Sequence, residues 1–292
     1  MGALIEINTD GLAKLGETIC NAFGWSAKGY RKMADARIYE RIENAKADTA
    51  IEIEKLHGHE IVEKYNEIRN IQKVENVANI IAKAEQQFNE GEQVSNEPVD
   101  KDWLNRFFDC AEGVSEEEMQ NIWAKILAGE VKQPKSFSLR TLDVLKNMTK
   151  EEAELFVEIA PKVYNYERIF KAKNENNLDR ILKLNDIGLV LLESIYNNFE
   201  IEPQKFVLLK LDGTKAISIV NETPMIIKLN IPCYKLSTAG KELFKMLETE
   251  ISEDTLNNIV AIIKSQGISQ VLLNSYSCDQ TGMINFIPIK VL

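Results

Sequence analysis

The sequence predicts a mainly α protein with an α+β C-terminal part: an N-terminal long helical hairpin, a central helical domain and a winged-helix-like C-terminal domain. Three observations predict it. Apolar residues recur at helical spacing through most of the first 160 positions. Helix-start signals stand close together between Asp100 and Phe156. Beyond Leu184 the apolar runs shorten and gather around Asp212-Gly213, a hairpin turn signal. The boundaries read from these changes are 1–95, 96–183 and 184–292.

The clearest local code lies in the middle. Val114-Ser115-Glu116-Glu117-Glu118-Met119 reads as a capping box from Ser115 to Glu118, with Val114 and Met119 as its hydrophobic staple. Met148-Thr149-Lys150-Glu151-Glu152 repeats the box, and Asp100 offers a third N-cap. Met119, Ile122, Trp123, Ile126 and Leu127 fall on one helix face. So do Leu104, Phe107, Phe108 and Ala111 before them, and Leu139, Leu142, Leu145 and Met148 after. Gly129 near a helix end and Pro134 beyond it make residues 130–138 a loop between two helices.

This order of motifs (DW, then EEMQNIWAKILAGE, then P-x-SFSLRTL, then EEAELF) resembles the bacterial family called domain of unknown function 2806. The looser pattern of acidic helix, W-A-x-x-L, loop and L-x-x-L is similar to the abortive-infection alpha family, whose members are associated with phage resistance. The likeness is read over roughly the middle and C-terminal two-thirds of the chain. It implies a place in phage defence and supplies no catalytic residue.

Composition narrows the choice of function. At 292 residues, 45% of them hydrophobic, the chain can bury more than one core. The formal charge of −10 argues against a general binder of nucleic acid or anionic membrane, which needs clustered Lys and Arg. Residues 1–100 hold 12 basic and 18 acidic side chains, 101–200 hold 14 and 18, and 201–292 hold 9 and 9, so the C-terminal part is balanced. Cys20, Cys110, Cys233 and Cys278 lack any zinc spacing and read as reduced, structural thiols. MGALIEINTD is not a signal peptide, and no run reaches the length of a membrane span. A cytoplasmic protein is the expectation.

Along the N-terminal part, residues 11–25 read as a short amphipathic helix docked on the protein itself or on a second subunit, with membrane contact the lesser alternative because Lys14 is its one base. Residues 26–56 read as one long helix with alternating charges, and 60–88 as a second, the two joined by His57-Gly58-His59. The seam of this hairpin is narrow, which suggests a homo-oligomer formed through the N-terminal helices. The two histidines do not share a helix face, and no metal site is expected. Residues 89–100 are polar, contain Gly and Pro, and read as a linker.

The stretch 161–183 carries six bases against three acids, with Tyr164, Tyr166 and Phe170 interleaved, and reads foremost as a solvated helix. Arg168, Lys171, Lys173 and Arg180 are its candidate nucleic-acid contacts. LNDIGLVLLESIYN reads as a helix, followed by strands 206–211, 215–220 and 225–229 and a helix capped by Ser237; helix, β-wing, then Y-x-L-S/T-x-x-G-x-x-L is similar to the end of many winged-helix domains. Residues 252–266 give one more helix ending at Gly267, and 268–273 with 283–291 give a final hairpin that either extends the wing or stands alone.

No G-x-S-x-G, phosphate loop, dinucleotide fingerprint or H-E-x-x-H is present, and a Ser-His-Asp arrangement requires one of the two histidines to fold back onto a distant serine. No cofactor and no catalytic residue is assigned. The polar or exposed residues of the signature, with its two tryptophans, are the candidate contact residues: Asp102, Trp103, Trp123, Glu130, Ser138 and Arg140. Glu130 and Arg140 are placed to clamp the loop between them, while the tryptophans suit core anchors. The expected function is a non-enzymatic binding, sensing or assembly protein with a protein partner or phage component. The alternatives are a nucleic-acid-binding regulator and an enzyme built around Glu130 and Arg140.

Overall fold

Asp10 starts the first described helix: its carboxylate accepts the Leu12 N–H at 3.1 Å, and α1 runs from Gly11 to Phe23. The structure, a computed structural model, describes residues 10–24, 42–45, 57–89, 91–172, 178–247, 249–278 and 284–292. The first long helix read from the sequence, 26–56, lies outside the described residues apart from a helical turn at 42–45 in which Ile42 is buried. Its partner is present as α2, His59–Glu85, beginning after Gly58 at φ +64°. Both histidines of that turn are exposed.

The chain divides into two compact units, residues 1–146 and 147–292. The boundary falls inside the stretch read as a central domain.

The first unit is helical among its described residues. After α1 and α2 come α3 (Lys101–Ala111), α4 (Glu117–Lys132) and α5 (Leu139–Asn147). Asp100 caps α3 by accepting the Trp103 N–H at 2.8 Å, as its position predicts. The start of α4 differs from expectation: Glu116 occupies the N-cap without a side-chain cap bond, one residue past Ser115. Helix α4 packs against both α1 and α2 and buries Trp123, Ile126, Leu127 and Val131. Phe107 joins the neighbouring faces, stacked on Trp103 at 5.2 Å and edge-on to Trp123 at 5.3 Å.

The segment read as a linker is a fastening. Gly11 N donates to Glu92 O at 2.8 Å, Ser95 N to Lys132 O at 3.0 Å, and the Lys14 ammonium reaches the carbonyls of Ser95 and Glu97. Residues 91–97 thereby tie α1 to the end of α4. Polarity alone suggests a free segment, because the bonds to Lys14 join residues some eighty positions apart.

The second unit holds α6 (Lys150–Ile159), a 3-10 turn, then β1 (Val163–Tyr164) and β2 (Arg168–Phe170). The capping box at Thr149 and Glu152 is complete. A single helix over 161–183 is therefore not what forms. Asn165 and Tyr166 both take left-handed backbone, φ 51° and 58°, and turn β1 back onto β2. Helix α7 follows at Leu178–Asp186, then β3 (Val190–Ile201), β4 (Phe206–Lys210), β5 (Lys215–Val220) and β6 (Ile227–Leu236). Helices α8 (Thr238–Lys245) and α9 (Glu253–Ser265) precede β7 (Gln270–Cys278) and β8 (Ile284–Val291).

The stretch read as a helix after Leu184 is the second correction. Gly188 at φ +84° ends α7 in a Schellman motif: Leu189 N bonds Leu184 O at 2.9 Å and Gly188 N bonds Asn185 O at 2.8 Å. The chain leaves as strand β3, so the helix that the winged-helix pattern required at this place is a strand. The third strand of that pattern is also elsewhere. β6 lies between β2 and β3 in one antiparallel sheet, order β1-β2-β6-β3, while β4 and β5 belong to another, order β4-β5-β7-β8. The final hairpin thus extends the sheet of the 206–220 hairpin. One core joins the two sheets: Phe170, Leu229, Ile231 and Cys233 of the first cluster with Leu209, Ile217 and Val271 of the second and with Ile259 and Ile263 of α9.

Candidate functional site

The loop after α4 gathers most of the signature. Glu130 is 1% exposed, on the inner face of α4. Its carboxylate accepts the backbone N–H of Lys135 at 2.6 Å and of Phe137 at 3.0 Å. The indole N–H of Trp103 donates to the carbonyl of the same Phe137 at 2.8 Å. Both sides of that residue's backbone are held by side chains from α3 and α4. Lys135 stands in left-handed backbone, φ 70°, and its ammonium pairs with Glu97.

A glycine makes the approach feasible. A Cβ on Gly129 would come within 2.8 Å of the Phe137 ring, so the ring packs where any other residue would stand. The Glu130 carboxylate holds the loop through the amides of Lys135 and Phe137, and Arg140, its expected partner, is exposed at the start of α5. Ser138 caps that helix, its hydroxyl 3.2 Å from the Thr141 hydroxyl. Trp123 is wholly buried, and Asp102 is exposed in the first turn of α3. Trp103, Glu130 and Ser138 thus meet at one loop, while Asp102 and Arg140 stay outside it. Phe137, Gly129 and Lys135, absent from the sequence candidates, complete the loop; Gly129 was the visible signal.

Three of the candidate basic residues are described, and each has a partner within the protein. Arg168 pairs with Glu167 at 3.3 Å and donates to the Cys233 sulfur at 3.8 Å; Lys171 lies over the Tyr234 ring at 5.0 Å; Arg180 pairs with Glu158. Lys173 lies outside the described residues. Under β1 and β2, Tyr164 is fully buried beside Arg168, Asn197 and Cys233, and its hydroxyl has no hydrogen-bond partner of normal geometry. Burial first, then the neighbouring thiol, pushes that phenol well above its ordinary pKa.

A groove of about 550 Å³ lies between α6 and α7. Leu155 and Ile187 give it apolar surface. Around them stand Glu151, Glu152, Glu154, Glu158, Asp179 and Asp186, against the cations Arg180 and Lys183. Spacings of three, four and seven residues, from Glu151 to Glu158 on α6 and from Asp179 to Asp186 on α7, place these residues on facing stripes. Glu152 is engaged in the capping box through the Thr149 N–H at 2.8 Å, and Glu158 takes Arg180. Among the described residues no group of His, Cys, Asp and Glu is set to hold a metal ion, and no helix is long and apolar enough to cross a membrane.

Residues 62–173 match the family described as protein of unknown function, DUF2806. The likeness carried by the tryptophan motifs holds over that segment, which takes in β1 and β2 and ends before α7, short of the two-thirds those motifs suggest. No curated protein and no solved structure matches the chain.

Proposed function

We propose, for a chain whose residues 62–173 carry the DUF2806 segment, a non-enzymatic binding or assembly protein that engages a protein partner. The observation that carries this reading is the groove between α6 and α7, which is open, partly apolar and rimmed by carboxylates. Apolar floor with a charged rim is the arrangement of protein recognition sites. The conspicuous groups of the signature point the same way: Glu130 and Trp103 turn their polar atoms to the Phe137 backbone.

Phage defence is the proposed context, by the abortive-infection likeness of the W-A-x-x-L pattern. Expression in a susceptible host should lower phage plating, and charge reversal at Glu154 and Asp186 should abolish the effect while the protein stays folded. Unchanged plating across a phage panel would remove the defence context.

A nucleic-acid regulator built on a winged-helix-like C-terminal part is the weaker reading. Arg180 sits among the carboxylates of the groove and pairs with Glu158, which opposes phosphate binding. Homo-oligomerisation through the N-terminal helices, and a cytoplasmic setting, belong to the same proposal. Light scattering on the full chain, with absorbance at 260 and 280 nm on one peak, tests both the oligomer and any bound nucleic acid. The full chain is used because α1, α2 and Lys14 pack or bond within the first unit.

A further inference from the structure

Resting on the binding reading, we infer that the groove between α6 and α7 docks a short basic amphipathic helix of a partner protein. Charge complementarity selects the occupant. Six carboxylates and two cations line the groove. Of the six, Glu151, Glu154, Glu158, Asp179 and Asp186 are exposed. Bringing lysines or arginines among them relieves their mutual repulsion, whereas phosphate or a carboxylate-rich ligand would add to it. A second copy of the chain brings a net charge of −10 toward the same surface and is the poorer fit.

The apolar part selects an amphipathic ligand over a merely cationic one. Leu155 and Ile187 lie within the groove, and the same two helices expose Val157, Leu178 and Leu182 beside the acids. A helix laid into such a groove presents apolar anchors at i, i+3, i+4 and i+7 and its bases along the flanks. Length sets the size of the contact. Helix α6 has 10 residues and α7 has 9, and at 1.5 Å per residue each wall is about 14–15 Å long, enough for roughly three turns of ligand helix. Two or three basic residues on that length reach the rim.

The experiment uses the full chain and a fluorescent synthetic helix of about twelve residues, with leucines at i, i+3, i+4 and i+7 and flanking lysines. A counterpart replaces each lysine by glutamate. Anisotropy reports binding, and amide chemical shifts of the labelled protein report where. The lysine helix is expected to bind, to shift residues 151–158 and 179–187, and to weaken with added salt. Glu154→Lys with Asp186→Lys should lower its affinity about tenfold or more, and Glu154→Gln with Asp186→Asn by less, both with unchanged melting temperatures. Failure of the lysine helix to bind, equal binding of the glutamate helix, or full affinity in the charge-reversed protein would overturn the inference. Shifts mapping to another surface would overturn the groove and leave the broader binding reading standing, which phage plating tests separately.

Discussion

The carboxylate of Glu130 accepts the backbone N–H of Phe137 at 3.0 Å from a position only 1% exposed to solvent. The amide of Lys135 is a second donor to it, so the loop's own backbone binds the buried acid. Glu130→Gln replaces one acceptor oxygen by an N–H₂ facing a donor, leaving a buried amide unpaired. Urea unfolding should show a loss of about 1–3 kcal/mol. Arg140→Ala, at an exposed position, should change stability by less than about 0.5 kcal/mol. Equal losses in the two variants would restore the carboxylate-guanidinium clamp.

Two glycines are fixed by close approach. A Cβ at Gly240 would lie 2.2 Å from the backbone carbonyl oxygen of Leu189, and one at Gly129 would lie 2.8 Å from the Phe137 ring. Backbone yields less readily than a ring. Gly240→Ala should therefore cost more than Gly129→Ala, with the latter about 1–3 kcal/mol, the range for forced overpacking. Differential scanning calorimetry gives the order, and the reverse order would contradict the packing of α8 on that loop.

Tyr164 and Asn221 are both buried polar residues with opposite standing. Asn221 donates to the carbonyls of Ile201 at 2.8 Å and Met225 at 2.7 Å and accepts from the Thr223 N–H at 2.9 Å. Asn221→Ala leaves those groups without it, and a loss of at least about 2 kcal/mol is expected. Tyr164→Phe removes a hydroxyl with no partner of normal geometry and keeps the ring, so stability should hold or rise slightly. A large loss in Tyr164→Phe would show that the hydroxyl is bonded in solution.

Acid sensitivity of the first unit should trace in part to Glu92. The Lys132 ammonium at 2.9 Å and the Asn89 N–H at 3.0 Å hold its carboxyl below the ordinary glutamate value of 4.5. A carboxyl depressed on folding contributes stability that is fully present above the unfolded value and is lost as pH falls through the folded one. Glu92→Gln should thus be less stable than the parent at pH 7 and converge with it as pH falls through the lowered value of the folded carboxyl. Parallel stability curves across that range would refute the assignment.

Much of the helical part was legible because its signals are local. Asp100, Thr149, Ser237 and Ser252 each bond an amide three positions on, so cap and helix start are written within a few residues. The glycine turn at Gly58 and the hairpin at Asp212-Gly213 are local in the same sense. Gly188 is equally local, yet the apolar run that follows it has no alternation to separate strand from helix. Gly188 alone divides β3 from the helix before it.

What the sequence by itself determined is where most helices begin, which faces they bury, and that no strongly basic surface dominates the chain. Only the tertiary structure decided that β6 pairs with β2 and β3, that residues 91–97 are tied down by Lys14 and Lys132, and that Glu130 accepts from the amides of Lys135 and Phe137. The physical reason is range. A cap or turn is settled by atoms a few residues apart, whereas a strand's neighbours and a buried carboxylate's partners are chosen by the summed burial and hydrogen bonding of segments far apart in the chain.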